Sequence, residues 1–258
     1  MSTSKKKNYF NKTLLDDGHT ITPYFPGKFQ WIPPDTLENY KKKPKPGYDE
    51  HSISYDINCH GFRCMDLFEA INNEKPIILT LGCSFTMGIG VDGPDSWPER
   101  FGKWFPNSNL INFGIGGGSS DMVTRLLYLA LNKFTPAVVA ILWPICSRME
   151  EYNYIDYSYC PTNIGPWLSK KTIAVYDDSH FLNNSIKNFI FAKYLLDFHK
   201  VKNVQFQIDD AIVTSDIMEN ISIYTDYNGG RDEHPGRSWH REVADKFTKK
   251  YEALYGRP

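Results

Sequence analysis

Ile77-Ile78-Leu79-Thr80-Leu81-Gly82-Cys83-Ser84-Phe85-Thr86-Met87-Gly88 opens as an apolar run and closes in small residues. Four of the first five side chains are apolar and Pro76 precedes them, the pattern of a parallel strand buried on both faces. A Gly-Cys-Ser turn after such a strand sets Ser84 at the carboxyl edge of an open α/β sheet, where these folds place their chemistry. Working outward, short apolar runs at 110–111, 137–142 and 204–208 read as further strands. Helices are expected after Ser119-Ser120-Asp121, where Leu126, Leu127 and Leu131 follow, and over 186–200. Strands alternating with helices imply a three-layer α/β/α sandwich with a parallel central sheet.

The second informative stretch is Gly229-Gly230-Arg231-Asp232-Glu233-His234-Pro235-Gly236, a loop that holds an acid two residues before an imidazole. Behind it, Trp239, Val243, Phe247 and Tyr251 recur every four residues and make an apolar stripe for a last helix, with Ser238 as its expected N-cap. A serine hydroxyl is a weak nucleophile at neutral pH. It needs an imidazole within about 3 Å to take its proton and an acid to fix the ring's tautomer. Ser84, His234 and Asp232 are the candidates for these roles, with Glu233 the fallback acid. At a turn leaving a strand successive side chains diverge, so of Cys83 and Ser84 only one faces the cleft; Ser84 is expected there and Cys83 in the packing.

Taken together these stretches resemble the SGNH/GDSL hydrolase superfamily. The first block, Gly-Asp-Ser-x-(Ser/Thr), stands as Gly82-Cys83-Ser84-Phe85-Thr86, with cysteine in place of aspartate. The second, Asn-x-Gly-x-x-Gly, stands as Asn112-Phe113-Gly114-Ile115-Gly116-Gly117, expected just after its strand. The last block joins an aspartate and a histidine before a C-terminal helix. Here the spacing is two where three is commoner, and three would fall on Arg231, which accepts no hydrogen bond. The third block, Gly-x-Asn-Asp, has no counterpart: after the strand at 137–142 the chain reads Trp143-Pro144-Ile145-Cys146-Ser147-Arg148. The resemblance spans roughly residues 75–255 and implies a flavodoxin-like sheet with a catalytic triad. It also implies an oxyanion hole, here built from the backbone N–H groups of Ser84 and Gly117, with Ser147 or Arg148 for the absent asparagine.

Each block has a plainer meaning as well. Gly116-Gly117-Gly118 before a helix would cradle a phosphate, yet it lacks the Gly-Lys-Ser/Thr of a P-loop. Asp-x-His before Pro-Gly also suits a turn whose aspartate caps backbone N–H groups. The ordered set favours an enzyme: a serine esterase acting on a small acyl ester, with carbohydrate O-acetyl as the substrate class. The alternatives are a sugar O-acyltransferase using the same residues, and a non-catalytic carbohydrate-binding or structural module that kept the fold.

Composition narrows the partners. A net charge of −1 over 258 residues leaves no footprint for nucleic acid, and Lys5-Lys6-Lys7 and Lys41-Lys42-Lys43 read as solvated tails. No apolar stretch reaches the roughly 20 residues that span a bilayer, and Met1 to Asp16 has no signal-peptide core, so a cytoplasmic protein is expected. Five cysteines without a Cys-x-x-Cys pair fit a reducing compartment. His51, His60, His180, His199 and His240 show no ligand spacing, so neither metal nor cofactor is expected. Oligomeric state is open.

Residues 1–74 differ from the remainder, 75–258. Pro23, Pro26, Pro33, Pro34, Pro44 and Pro46 interleaved with aromatics suggest an extended arm on the main domain. Residues 52–58 alternate as a strand, and His60-Gly61-Phe62-Arg63 resembles an element preceding this hydrolase domain in many relatives, expected to act as a brace. Residues 151–184, with Tyr152, Tyr154, Tyr157, Tyr159 and Trp167, form an aromatic insertion at the catalytic edge, read either as a ligand-binding loop or as packing.

Overall fold

The computed structural model describes residues 24–153, 160–164, 178–208, 220–221, 229–232 and 234–258. Lys5-Lys6-Lys7, Tyr154, Tyr157, Tyr159, Trp167 and Glu233 lie outside them. In chain order the elements are β1 (Gly27–Phe29), α1 (Leu37–Lys42), β2 (Tyr55–Ile57), α2 (Leu67–Asn72), β3 (Ile77–Gly82) and α3 (Ser84–Met87). There follow α4 (Trp97–Gly102), β4 (Asn109–Gly114), α5 (Ser120–Leu131), β5 (Val138–Trp143), β6 (Met149–Asn153) and β7 (Cys160–Ile164). The chain closes with α6 (Asp178–Phe198), β8 (Lys202–Ile208), β9 (Asn220–Ile221) and α7 (Arg237–Tyr255).

A strand sends alternate side chains to opposite faces, so a strand buried on both must feed two cores. Ile77, Leu79 and Leu81 join Val139, Ile141 and Trp143 of β5 in one cluster, against Met122, Val123 and Leu126 of α5 and Phe189 and Leu196 of α6. Ile78 joins Val138, Ala140 and Leu142 in the other, against Trp97 and Phe101 of α4 and Trp239, Val243 and Phe247 of α7. The sheet is parallel in the order β4-β3-β5-β8-β9, with helices on both faces. This is the expected three-layer α/β architecture. Because β4 lies on one side of β3 and β5 on the other, the chain reverses its winding beside β3, and such a switch point opens a crevice at the strand's carboxyl end. Ser84 stands there, as the first residue of α3.

Several local expectations need correction. Asn112 lies within β4 rather than after it. Its Nδ2 donates to the Thr86 carbonyl (2.9 Å) and its Oδ1 accepts the Gly114 N–H (2.9 Å), so it ties β4 to α3. Helix α7 starts at Arg237 with Gly236 as N-cap; Ser238 is exposed inside the first turn, because Gly236, extended at φ −88° and ψ −171°, already holds the capping position. The arm is not wholly extended. Thr36 Oγ1 accepts the Asn39 N–H (3.2 Å), and Glu38 at the start with Lys41 and Lys42 at the end complement the dipole of α1. Helix α6 begins at Asp178, earlier than expected, and part of the insertion at 151–184 is the antiparallel pair β6–β7.

Candidate active site

Helix α3 is a single turn. Cys83 precedes it in an extended conformation, and the Cys83 carbonyl accepts from the N–H groups of Thr86 and Met87 (both 2.9 Å). Cys83 is buried in the cluster beneath α7, while the next side chain, Phe85, meets His234 edge-on with ring centroids 5.4 Å apart. Ser84 is buried, 4% exposed. Its carbonyl accepts from Gly88 (2.9 Å) and Ile89 (3.1 Å), so the turn that ends α3 hangs on Ser84 itself.

The Asp232–His234 loop docks on that same turn. Arg231 N–H donates to the Gly90 carbonyl (2.7 Å), and Gly90 N–H donates to Tyr55 Oη (2.9 Å). Gly90 sits at φ +83°, and a Cβ there would fall well under 3.0 Å from Asp232 Oδ1, so only glycine allows the carboxylate its place. Asp232 Oδ1 accepts the His234 backbone N–H (3.0 Å), and Oδ2 lies 2.6 Å from His234 Nδ1. The turn-capping and ring-orienting roles of this aspartate are thus combined. A carboxylate only accepts, so the neutral ring carries its proton on Nδ1 and presents Nε2 as the base.

Behind the loop is a buried network that sequence reading missed. The Arg231 guanidinium pairs with Asp35 (2.7 Å; side chains 0% and 1% exposed), donates to the Gln30 carbonyl and lies 3.7 Å over the Trp31 ring. Tyr55 donates to the same Asp35, and burial holds its phenol well above the usual range. Arg63 Nη1 donates to the carbonyls of Gly88 (2.6 Å) and Val91 (3.1 Å), and Nη2 to Ser54 (2.7 Å). The Gly61-Phe62-Arg63 element is therefore a brace on the turn after α3. Nothing in the local pattern around Asp35 or Tyr55 signals these partners, which come from distant sequence.

A cavity of about 620 Å³ opens at His234, lined by Pro34, Asn39, Lys42, Lys43, Lys45, Phe85, Arg148, Arg231 and Asp232. Phe85 and Arg148 contribute to it rather than their neighbours Ser84 and Ser147. Arg148 Nη1 also donates to the Gly118 carbonyl (3.4 Å), reaching the glycine loop from the third-block position. Gly117 stands at φ +73°, a conformation open to glycine. Tyr24 from the arm receives the Gly116 N–H, and burial pushes its phenol up to about 12. The lysines of α1 correct an expectation: Lys42 and Lys43 edge the cavity instead of trailing into solvent. Sequence spacing also concealed a cluster elsewhere. Cys59, His60 and Asp66 bring ligand-type atoms within 4.8 Å of one another, with Asp66 capping α2 and receiving the Cys59 thiol (3.2 Å).

No family model and no curated protein matches the chain. Solved structures do. A lipolytic protein of the G-D-S-L family from Desulfitobacterium hafniense DCB-2 shares 10% identity, with 68% of this chain and 98% of that one covered at a TM-score of 0.42. The chain is similar to GDSL lipolytic proteins and esterases. A psychrotrophic esterase from a Pseudoalteromonas species shares 14% identity over 69% and 98% of the two chains, with a TM-score of 0.43. A carbohydrate esterase, described as having divergent catalytic and non-catalytic binding functions, shares 12% over 72% and 71%, with a TM-score of 0.45. Likenesses at these identities leave the chemistry to this chain's own side chains.

Proposed function

We propose that the chain is a serine carboxylic ester hydrolase for small acyl esters, with Ser84 as nucleophile, His234 as base and Asp232 as the acid that orients it. The supporting observation is the Asp232–His234 pair, 2.6 Å apart and hung on the turn that closes the Ser84 helix. Ser84 Oγ attacks the acyl carbon while His234 Nε2 takes its proton. The imidazolium, stabilised by Asp232, then protonates the departing alcohol, and water, activated by the same ring, releases the acid from Ser84.

Negative charge gathers on the carbonyl oxygen as the acyl carbon turns tetrahedral. The candidate donors for it are the backbone N–H groups of Ser84 and Gly117, each worth about 3–4 kcal/mol in such sites, with Arg148 in place of the missing asparagine. Ser147 is the weaker choice, since Arg148 is the residue that lines the cavity. Carbohydrate O-acetyl is the substrate class implied by the resemblance. Transfer to a sugar hydroxyl would use the same three side chains, and the ratio of transfer to hydrolysis with sugar acceptors present separates the two reactions.

Hydrolysis of p-nitrophenyl acetate should disappear in Ser84→Ala, and a fluorophosphonate should label Ser84. Equal hydrolysis by wild type and Ser84→Ala would point instead to a silent binding module.

A further inference from the structure

The lining of the cavity is charged in a way the chain as a whole is not. Lys42, Lys43, Lys45, Arg148 and Arg231 face it against one carboxylate, Asp232, while the full sequence carries a net charge of −1. Two of the cations are bridged from outside the lining, Lys42 by Glu38 (2.7 Å) and Arg231 by Asp35 (2.7 Å). With those carboxylates included, cations still outnumber anions five to three. The remaining charge comes from two separate directions: Lys43 and Lys45 from the segment after α1, and Arg148 from the end of β5.

We infer that the cavity receives an ester whose alcohol portion bears an anionic group, a carboxylate or a phosphate. This deepens the esterase reading and rests on it. A small acyl group occupies little of 620 Å³, a volume in the range of pockets that enclose whole small ligands, so the alcohol portion is the part that meets the lysines. A concave site with walls of protein focuses the field of its charges, which both raises local substrate concentration and holds the ester in register with His234. Arg148 suits a planar oxyanion through its fork of donors, and the lysines act as point charges. Pro34 and Phe85 supply the apolar surface against which a ring would lie. In hydrolysis the acyl C–O bond breaks, the anionic alcohol leaves with the proton from His234, and water completes the acid.

The test uses three matched aryl acetates with the wild-type protein: 4-acetoxybenzoate, 4-acetoxyphenyl phosphate and the neutral 4-acetoxybenzamide. We expect kcat/KM for at least one anionic ester to exceed that for the neutral one by about 10-fold at low salt, with the advantage shrinking as the Debye length falls from about 30 Å to about 3 Å. Whichever anion gains more identifies the source. Lys45→Glu should cut the anionic-to-neutral ratio by about 10-fold. A ratio at or below one, or a ratio unchanged in Lys45→Glu, overturns the inference. Calorimetry of 4-hydroxybenzoate, 4-hydroxyphenyl phosphate and 4-hydroxybenzamide binding to Ser84→Ala reads the same preference without turnover. Preferred binding of an anion by a protein that hydrolyses none of the esters would refute the esterase and keep the anion site. Turnover of the neutral ester with no preference in either assay would refute the anion site alone.

Discussion

Replacing Gly90 by alanine should damage the candidate triad without touching any of its members. The backbone there stands at φ +83°, where a side chain costs about 1–2 kcal/mol in strain. The new Cβ would also fall well under 3.0 Å from Asp232 Oδ1, a separation that Cβ atoms do not tolerate, so the carboxylate must retreat by roughly an ångström. That movement strains two bonds at once, Oδ1 to the His234 N–H (3.0 Å) and Oδ2 to Nδ1 (2.6 Å). We expect stability to drop by about 2–3 kcal/mol, and kcat on p-nitrophenyl acetate to fall by about 10² to 10⁴, the range seen when an imidazole loses its orienting acid, with KM little changed. Gly256→Ala is the control: φ is +76°, with nothing within 4 Å of an added Cβ, so it carries the strain without the clash. Urea unfolding and steady-state kinetics on both variants decide the matter. If Gly90→Ala turns over as well as Gly256→Ala, then Asp232 does not orient the base.

Cys83→Ala should keep most of the activity, since Cys83 packs beneath α7; loss of turnover with the fold intact would move the nucleophile to the thiol. Arg148→Ala should lower kcat by about 10-fold or more, and wild-type kcat in that variant would remove Arg148 from the oxyanion hole. Arg231→Met should cost about 3–5 kcal/mol of stability by leaving Asp35 buried without its cation, and a change under about 1 kcal/mol in denaturant unfolding would contradict the clamp. His240 is fully buried with Nδ1 accepting the Trp97 N–H (3.1 Å), and burial, aided by the nearby His234, holds its pKa down at about 3. The unfolded chain therefore takes up the proton first as pH falls, so the stability that this neutral ring contributes is complete above about 6.5 and is lost progressively toward about 3, up to roughly 3–5 kcal/mol. Unfolding free energies measured from pH 7 down to 4 should decline with a slope that His240→Gln reduces, and identical slopes would refute the assignment.

What local pattern can carry was legible. The runs that became β3 and β5 are apolar at every register, so burial on both faces followed from composition alone, and the four-residue repeat of Trp239 to Tyr251 placed α7 on the sheet. Glycines and prolines marked the two loops that bear Ser84 and His234. Interactions between distant segments were not legible. Asp35 and Arg231 are 196 residues apart, and nothing near either one names the other. The lysines after Leu37 were misread because a run of lysines is solvated by default; the direction in which α1 lies, not its composition, brings them to the cavity. Ser238 looked like a cap because serine favours that position, but extended Gly236 had already ended the loop two residues earlier. The third-block position was legible only as an absence of asparagine, and it took the fold to bring Arg148 beside His234.

The Asp35–Arg231 bridge also gives the site a place in time. A ribosome adds about 5–20 residues per second, so Asp35 emerges about 10–40 s before the arginine that will neutralise it. During that interval its carboxylate must stay hydrated, because burying it alone is costly. The loop bearing Asp232 and His234 therefore settles late, after the segment around Tyr55 and the sheet beneath it have formed. A partly made chain carries its serine without an oriented base, and chemical competence arrives only as the two distant segments meet.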